Sequence, residues 1–231
     1  MSSLDPASSF LASAARLGAG GSARPARRRP ERLLEIYEFE ACPFCRRVRE
    51  ALSEFDLDAL ILPCPRGGTR FRPKARELGG KEGFPYLVDP NTGRSMHESA
   101  DIVTYLRETY DAPEAPRWLG PLSVASSALA SAVRGRRGRA ARPSRAPEKP
   151  LELWSFEACP FCRLAREALC ELEIPYVLHN VAKGSPRREA FVVRAGKMMV
   201  PYLVDPNTGH EMFESADIVR YLDATYGADA G

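Results

Sequence analysis

Two cysteine pairs share one spacing and one set of neighbours, Cys42-Pro43-Phe44-Cys45 and Cys159-Pro160-Phe161-Cys162. Cysteines two residues apart serve two chemistries. One thiolate can attack a disulfide while the other, a helical turn on, resolves the mixed disulfide that forms. Two such pairs can instead close a tetrahedral zinc site, but those pairs usually stand about 15–20 residues apart, and here 113 residues intervene. Each pair also recurs with its own surroundings, so the reading is disulfide exchange, with no metal. The nucleophile must be a thiolate, and a cysteine at a helix N-terminus meets unpaired N–H groups and the positive end of the dipole. Cys42 and Cys159 fill that position; Cys45 and Cys162 are the resolving thiols, with Arg46 and Arg163 beside them. The dipole supplies at most about 2 kcal/mol, or about 1.5 pKa units, and Glu40 and Glu157 oppose ionisation if they lie close, so moderate activation is expected. Cys64 and Cys170 have no counterpart in the other repeat and read as buried thiols; His97, His179 and His210 read as structural.

The elements that position these thiols come twice. Phe39 to Arg46 returns letter for letter at Phe156 to Arg163, Pro85 to Gly93 at Pro201 to Gly209, and Glu98 to Val103 at Glu214 to Val219. A single one-residue gap aligns the halves. In each, an apolar strand (Leu33 to Phe39; Leu151 to Phe156) leads through the cysteines into a helix with apolar residues three or four apart: Val48, Leu52 and Phe55, or Leu164, Ala168 and Leu172. A second strand (Ala59 to Leu62; Tyr176 to His179), a helix near Lys74 to Leu78 or Arg188 to Arg194, and a hairpin at Tyr86 to His97 follow. A helix capped by Ser99 and running to about Tyr110 closes the unit. The fold class is α/β, each unit in the order βαβαββα.

That order, with Cys-x-x-Cys between strand and helix, resembles the thioredoxin fold, and in detail the glutaredoxins and the N-terminal domain of glutathione S-transferases. The resemblance covers both halves, about two thirds of the chain. It implies glutathione as the cofactor, the two Cys-Pro-Phe-Cys motifs as active sites, and glutathionylated or disulfide substrates. Phe84-Pro85 and Val200-Pro201 look like the family's cis-proline, which lets Phe84 or Val200 pair with the cysteinyl backbone of glutathione. Glu98-Ser99 and Glu214-Ser215 look like the pair that holds its γ-glutamyl end, where helix N–H groups favour the carboxylate. Arg70 and Arg187 sit where related transferases place a cation for the glycine carboxylate. The all-helical domain of a transferase does not follow the first unit; a second copy does. The resemblance therefore favours disulfide exchange over conjugation of bulky electrophiles. A glutathione-binding scaffold and an atypical transferase with its pocket between the domains are the alternatives.

Composition bounds the rest. Residues 33–111 and 151–231, the two thioredoxin-like domains, carry net charges of −3 and −4, so they present no overall positive field for nucleic acid. The +3 total comes from residues 1–32 and 112–150, at +4 and +6. No stretch approaches the roughly 20 apolar residues of a membrane span. Residues 1–32 have the Ala, Ser and Arg bias of an organelle address, and the tandem arrangement resembles plastid proteins, which suggests the chloroplast. An internal copy, Ser126 to Arg134 echoing Ser8 to Arg16, instead argues for a structured segment, with Leu4, Ala7, Leu11, Ala14 and Leu17 on one helical face. Leu122, Ala125, Leu129 and Ala132 repeat that spacing, and the run from Gly135 to Pro147 reads as a flexible, solvated tether.

Overall fold

A computed structural model describes residues 4–14, 18–114, 127, 134 and 137–228. Helix α1 (Leu4–Ala14) precedes the first unit, which comprises β1 (Leu34–Glu38), α2 (Pro43–Phe55), β2 (Ala59–Pro63), α3 (Arg72–Gly79), β3 (Tyr86–Asp89), β4 (Arg94–Met96) and α4 (Ser99–Thr109). The second repeats it as β5 (Leu151–Ser155), α5 (Pro160–Glu171), β6 (Tyr176–Asn180), α6 (Arg187–Ala195), β7 (Tyr202–Asp205), β8 (His210–Phe213) and α7 (Ser215–Tyr226). Both are tandem thioredoxin-like domains in the expected order.

The domains share one sheet, ordered β4-β3-β1-β2-β6-β5-β7-β8. Its centre is an antiparallel pairing of β2 with β6, Ala59 opposite Leu178 and Ile61 opposite Tyr176. In isolation each of those strands would be an edge with unpaired N–H and C=O groups. Pairing them satisfies both rows and fixes the domains in a two-fold arrangement. The apolar stripe of α2, Val48, Leu52 and Phe55, faces the sheet as its periodicity requires, but the opposite side is buried too, including Arg46, Arg47, Arg49 and Glu50. Helix α5 has the same character. The second domain and the leading segments cover the faces that would otherwise meet solvent.

Those leading segments are not tethers. Arg24 and Ala26 donate backbone N–H groups to Glu54 and Phe55 of the first domain, while the preceding Ala23 donates to Lys183 of the second at 2.6 Å. In mirror image, Arg142 donates to Glu171 at 2.7 Å and Ala141 to Arg66 at 2.9 Å. The expectation of a solvated run from Gly135 is thus corrected over 137–147: main-chain bonds to both domains hold it.

Helix α1 docks on α5, but not through Ala7 or Leu11. Ala7 is exposed and Leu11 is 63% exposed, whereas Ser9 and Ala12 are fully buried. The Ser9 hydroxyl donates to Pro160 O at 2.7 Å, and Arg163 Nη1 donates to Ser9 O at 2.7 Å. A buried guanidinium needs acceptors more than the interface needs another leucine, so the serine side turns inward. Ser127, the internal counterpart of Ser9, donates to Pro43 O at 2.9 Å. Each leading segment therefore buttresses one cysteine motif. Leu17, Leu122, Ala125, Leu129 and Ala132 lie outside the described residues.

Candidate functional site

Strand β1 delivers Cys42 to the N-cap of α2, with extended dihedrals (φ −72°, ψ 122°) and Pro43 entering the first turn, where its missing N–H costs nothing. Cys45 N–H donates to Cys42 Sγ at 3.3 Å, and that sulfur lies 3.9 Å from Phe84 O. The Phe84–Pro85 and Val200–Pro201 bonds are both cis. A cleft of about 160 Å³ lies beside the thiol, lined by Phe44, Phe84, Pro85, His97, Glu98 and Ser99 among others. The structure thus brings together four of the sequence-expected site residues of the first domain, Phe84, Pro85, Glu98 and Ser99, beside Cys42.

Ser99 is not the cap, however: Glu98 is, and Ser99 is the first helical residue. Glu98 holds φ 68° and ψ 112°, and Glu214 φ 64° and ψ 115°. Non-glycine residues in that region cost about 1–3 kcal/mol and persist where surrounding structure imposes them. The Asp89 carboxylate, on the strand that Pro85 opens, accepts from Tyr105 OH of α4 at 2.7 Å and from Tyr110 OH, the residue that caps its end, at 2.5 Å; Asp205 does the same with Tyr221 and Tyr226. The proline-led strand and the Glu-Ser helix start are thereby held in register. The Ser99 hydroxyl accepts from Arg47 Nη1 at 3.2 Å. Leu164 stands at that helix position in the second domain, so Ser215 has no matching guanidinium from α5.

The second motif repeats the geometry. Cys159 caps α5 (φ −69°, ψ 116°), and Cys162 N–H donates to its sulfur at 3.3 Å. The hydrogen bond from Cys162 lowers the Cys159 thiol to about 7, against burial and with help from the helix amides and Arg166. Cys42 is likewise lowered, chiefly by its bond with Cys45, while burial and Glu38 oppose. Burial pushes Cys45 and Cys162 well up, reinforced by the neighbouring thiol. Each motif therefore pairs one ionisable thiol with one held protonated. Cys64 and Cys170 are buried with their thiols raised by desolvation.

The family model for the glutathione S-transferase N-terminal domain matches residues 36–114 and 153–230. The chain belongs to that family. No curated protein matches it. Among solved structures the chain is similar to a trimeric glutathione transferase of Leishmania, TDR1, at 15% identity over 84% of this chain and 67% of that one, with a TM-score of 0.30.

Two transferase-type assignments need correction. Arg70 is turned away from the cleft and donates to Leu172 O at 2.7 Å and Glu173 O at 3.1 Å, across the boundary between the transferase domains. Arg187 donates to Asp56 O at 3.0 Å and Asp56 Oδ1 at 3.1 Å, and also pairs with Asp58. The two arginines are reciprocal clasps. Each satisfies carbonyls that the neighbouring domain's helix leaves open at its C-terminal end, and a guanidinium so engaged is not offered to a glycine carboxylate.

Behind the two motifs lies a cluster that the sequence reading did not assemble. Arg49 pairs with Glu157 at 3.0 Å and with Glu38, while Arg166 pairs with Glu40 at 3.1 Å and Glu157 at 2.9 Å. All five side chains are at most 3% exposed. Burial raises Glu157, but Arg166, Arg49, Arg46 and Arg163 outweigh it and bring the carboxyl down to about 2. Glu38 goes the other way, to about 7, because burial there exceeds the help from Arg49. Glu40 and Glu157 are thus committed to guanidiniums, and Arg166 favours the Cys159 thiolate. The signal for this cluster was an arginine recurring at one place in each helix, Arg49 and Arg166.

Proposed function

We propose that the protein is a glutathione-dependent thiol–disulfide oxidoreductase working through Cys42 and Cys159. The observation that carries this reading is the thiol pair at each helix start: one sulfur accepting an amide hydrogen bond and lowered, its neighbour buried and raised. The thiolate attacks the glutathionyl sulfur of a mixed disulfide, the S–S bond breaks, and its electron pair leaves on the substrate thiolate. A glutathione thiolate then attacks the sulfur of the bound glutathionyl group. Glutathione disulfide is released, Cys42 or Cys159 is restored as thiolate, and the substrate thiolate takes the proton that glutathione gave up. Glutathione would lie with its cysteinyl backbone along Phe84 or Val200 and its γ-glutamyl end at Glu98-Ser99 or Glu214-Ser215. The test is glutathione-coupled reduction of a small mixed disulfide by the wild type, Cys42→Ser, Cys159→Ser and the double variant. Partial loss in each single variant and complete loss in the double is expected. Wild-type turnover no faster than glutathione alone, with conjugation of a dinitrobenzene electrophile instead, would favour the transferase. A chloroplast location belongs to the same proposal, and imaging a fluorescent fusion of the full chain tests it.

A further inference from the structure

Arg166 is shared between the two sites. Its fork meets Glu40 of the first domain at two points, Nε to Oε2 at 3.1 Å and Nη2 to Oε1 at 3.3 Å, the geometry of a strong charge-assisted pair. Its remaining contacts are with the turn that carries the second nucleophile, Nη1 to Phe156 O at 3.3 Å and Nη2 to Glu157 Oε2 at 2.9 Å. Phe156 O also accepts from Cys159 N–H at 3.2 Å, so Arg166 holds the carbonyl from which the nucleophile's own backbone hangs. The same helix grips Glu40 by its main chain. Cys170, one turn beyond Arg166, accepts from Glu40 N–H at 3.4 Å, as Ser53 of α2 accepts from Glu157 N–H at 3.1 Å.

The corresponding cation of the first site is engaged differently. Arg49 pairs with Glu38, the last residue of β1, whereas the last residue of β5 is Ser155. With no acid at that strand position in the second domain, Arg166 acts on the thiol: it favours the Cys159 thiolate, while the charge that bears on Cys42 is that of Glu38, which opposes ionisation. The groups facing Arg166 are Glu40 and Glu157 from the two turns, Arg49 of α2, Arg163 of α5, Glu38 of β1 and Tyr176 of β6; Cys162 faces the thiol. The charged side chains among them are at most 3% exposed, so the field of Arg166 is balanced by its carboxylates and not by water.

We infer that Glu40 of the first domain is a positioning residue of the second active site: through Arg166 it fixes the turn ahead of Cys159 and limits how much positive charge the thiolate feels. This rests on the reading of Cys159 as a nucleophile. The carboxylate and the sulfur compete for one guanidinium. Without the Glu40 charge, Arg166 keeps the Glu157 carboxylate but is less fully balanced, and the surplus field stabilises the thiolate. The first domain thereby sets the reactivity of the second.

The test is the pH dependence of iodoacetamide labelling at Cys159, read by mass spectrometry on the reduced full chain, in the wild type, Glu40→Gln, Arg166→Gln and the double variant. From its wild-type position near 7, the midpoint in Glu40→Gln should fall by about 0.5 unit or more, with a lower plateau rate because a more acidic thiol is a weaker nucleophile. Arg166→Gln should raise the midpoint, and adding Glu40→Gln to it should then move it by less than about 0.2 unit. An unchanged or raised midpoint in Glu40→Gln overturns the proposal, since lost packing alone would loosen the turn and let the thiol return towards its ordinary 9. So does a full acid shift in the absence of Arg166, which would mean that the carboxylate acts on the sulfur directly. If circular dichroism shows Glu40→Gln or Arg166→Gln unfolded, Glu40→Asp decides, because it keeps the charge but draws it back from Arg166: an acid shift of about 0.2 unit or more supports the proposal, and none overturns it. Labelling needs no glutathione, so a protein that fails to turn over mixed disulfides still gives this result.

Discussion

Arg166 Nε lies 3.1 Å from Glu40 Oε2 across the boundary between the two domains, and the repeat supplies the mirror pair, Arg49 to Glu157 at 3.0 Å. Each active-site helix therefore carries the cation that neutralises the acidic residue just ahead of the other domain's cysteine motif. A single domain cut from the chain would keep the glutamate and the arginine of its own helix (Arg49 to Glu40 at 3.3 Å, Arg166 to Glu157 at 2.9 Å) but lose the arginine of the other domain. The tandem arrangement is thus part of how each site is held.

Glu157→Gln should destabilise the protein by about 3–5 kcal/mol at neutral pH, because Arg49 and Arg166 would remain buried with too little negative charge. Urea unfolding followed by circular dichroism measures this. With a folded pKa near 2, below the ordinary 4.5, Glu157 contributes stability that is fully present above about pH 5 and lost as pH falls towards 2. The variant should lack that part of the wild-type acid sensitivity.

Iodoacetamide should label Cys159 and Cys42 ahead of the other thiols. The Cys159 rate should rise with pH to a plateau with its midpoint near 7, since only the thiolate reacts. Cys64 and Cys170 should stay unlabelled until the chain unfolds. Mass spectrometry of peptides quenched across pH 5 to 10 reads all four.

Leu11→Asp should change stability by no more than about 0.5 kcal/mol, as exposed positions do, whereas Ala12→Asp should cost at least about 2 kcal/mol by placing a carboxylate in the fully buried contact with α5. Limited proteolysis should release α1 from the second variant and not from the first.

Arg70→Ala and Arg187→Ala should each lower stability by about 1–3 kcal/mol through lost charge-assisted hydrogen bonds, yet leave glutathione affinity within twofold. Calorimetric titration beside thermal melts decides this; a tenfold loss of affinity would return these arginines to the ligand.

Element order and the placing of the two Cys-Pro-Phe-Cys motifs at helix starts were legible in the sequence because they depend on local rules: apolar periodicity, cysteine spacing, a proline opening a strand, a turn built on Asp-Pro-Asn-Thr-Gly. Duplication strengthened each signal by showing it twice. What only the tertiary structure decided lies between residues more than a hundred positions apart. The β2–β6 pairing turned two edges into the middle of one sheet, and it buried arginines that by composition belong on a solvated helix face. It also engaged Arg70 and Arg187 with carbonyls of the opposite domain and set Ser9, rather than Leu11, against α5. Local sequence specifies which groups a helix or strand presents, whereas the partner that satisfies a buried charge or a free edge is chosen by how the two domains meet.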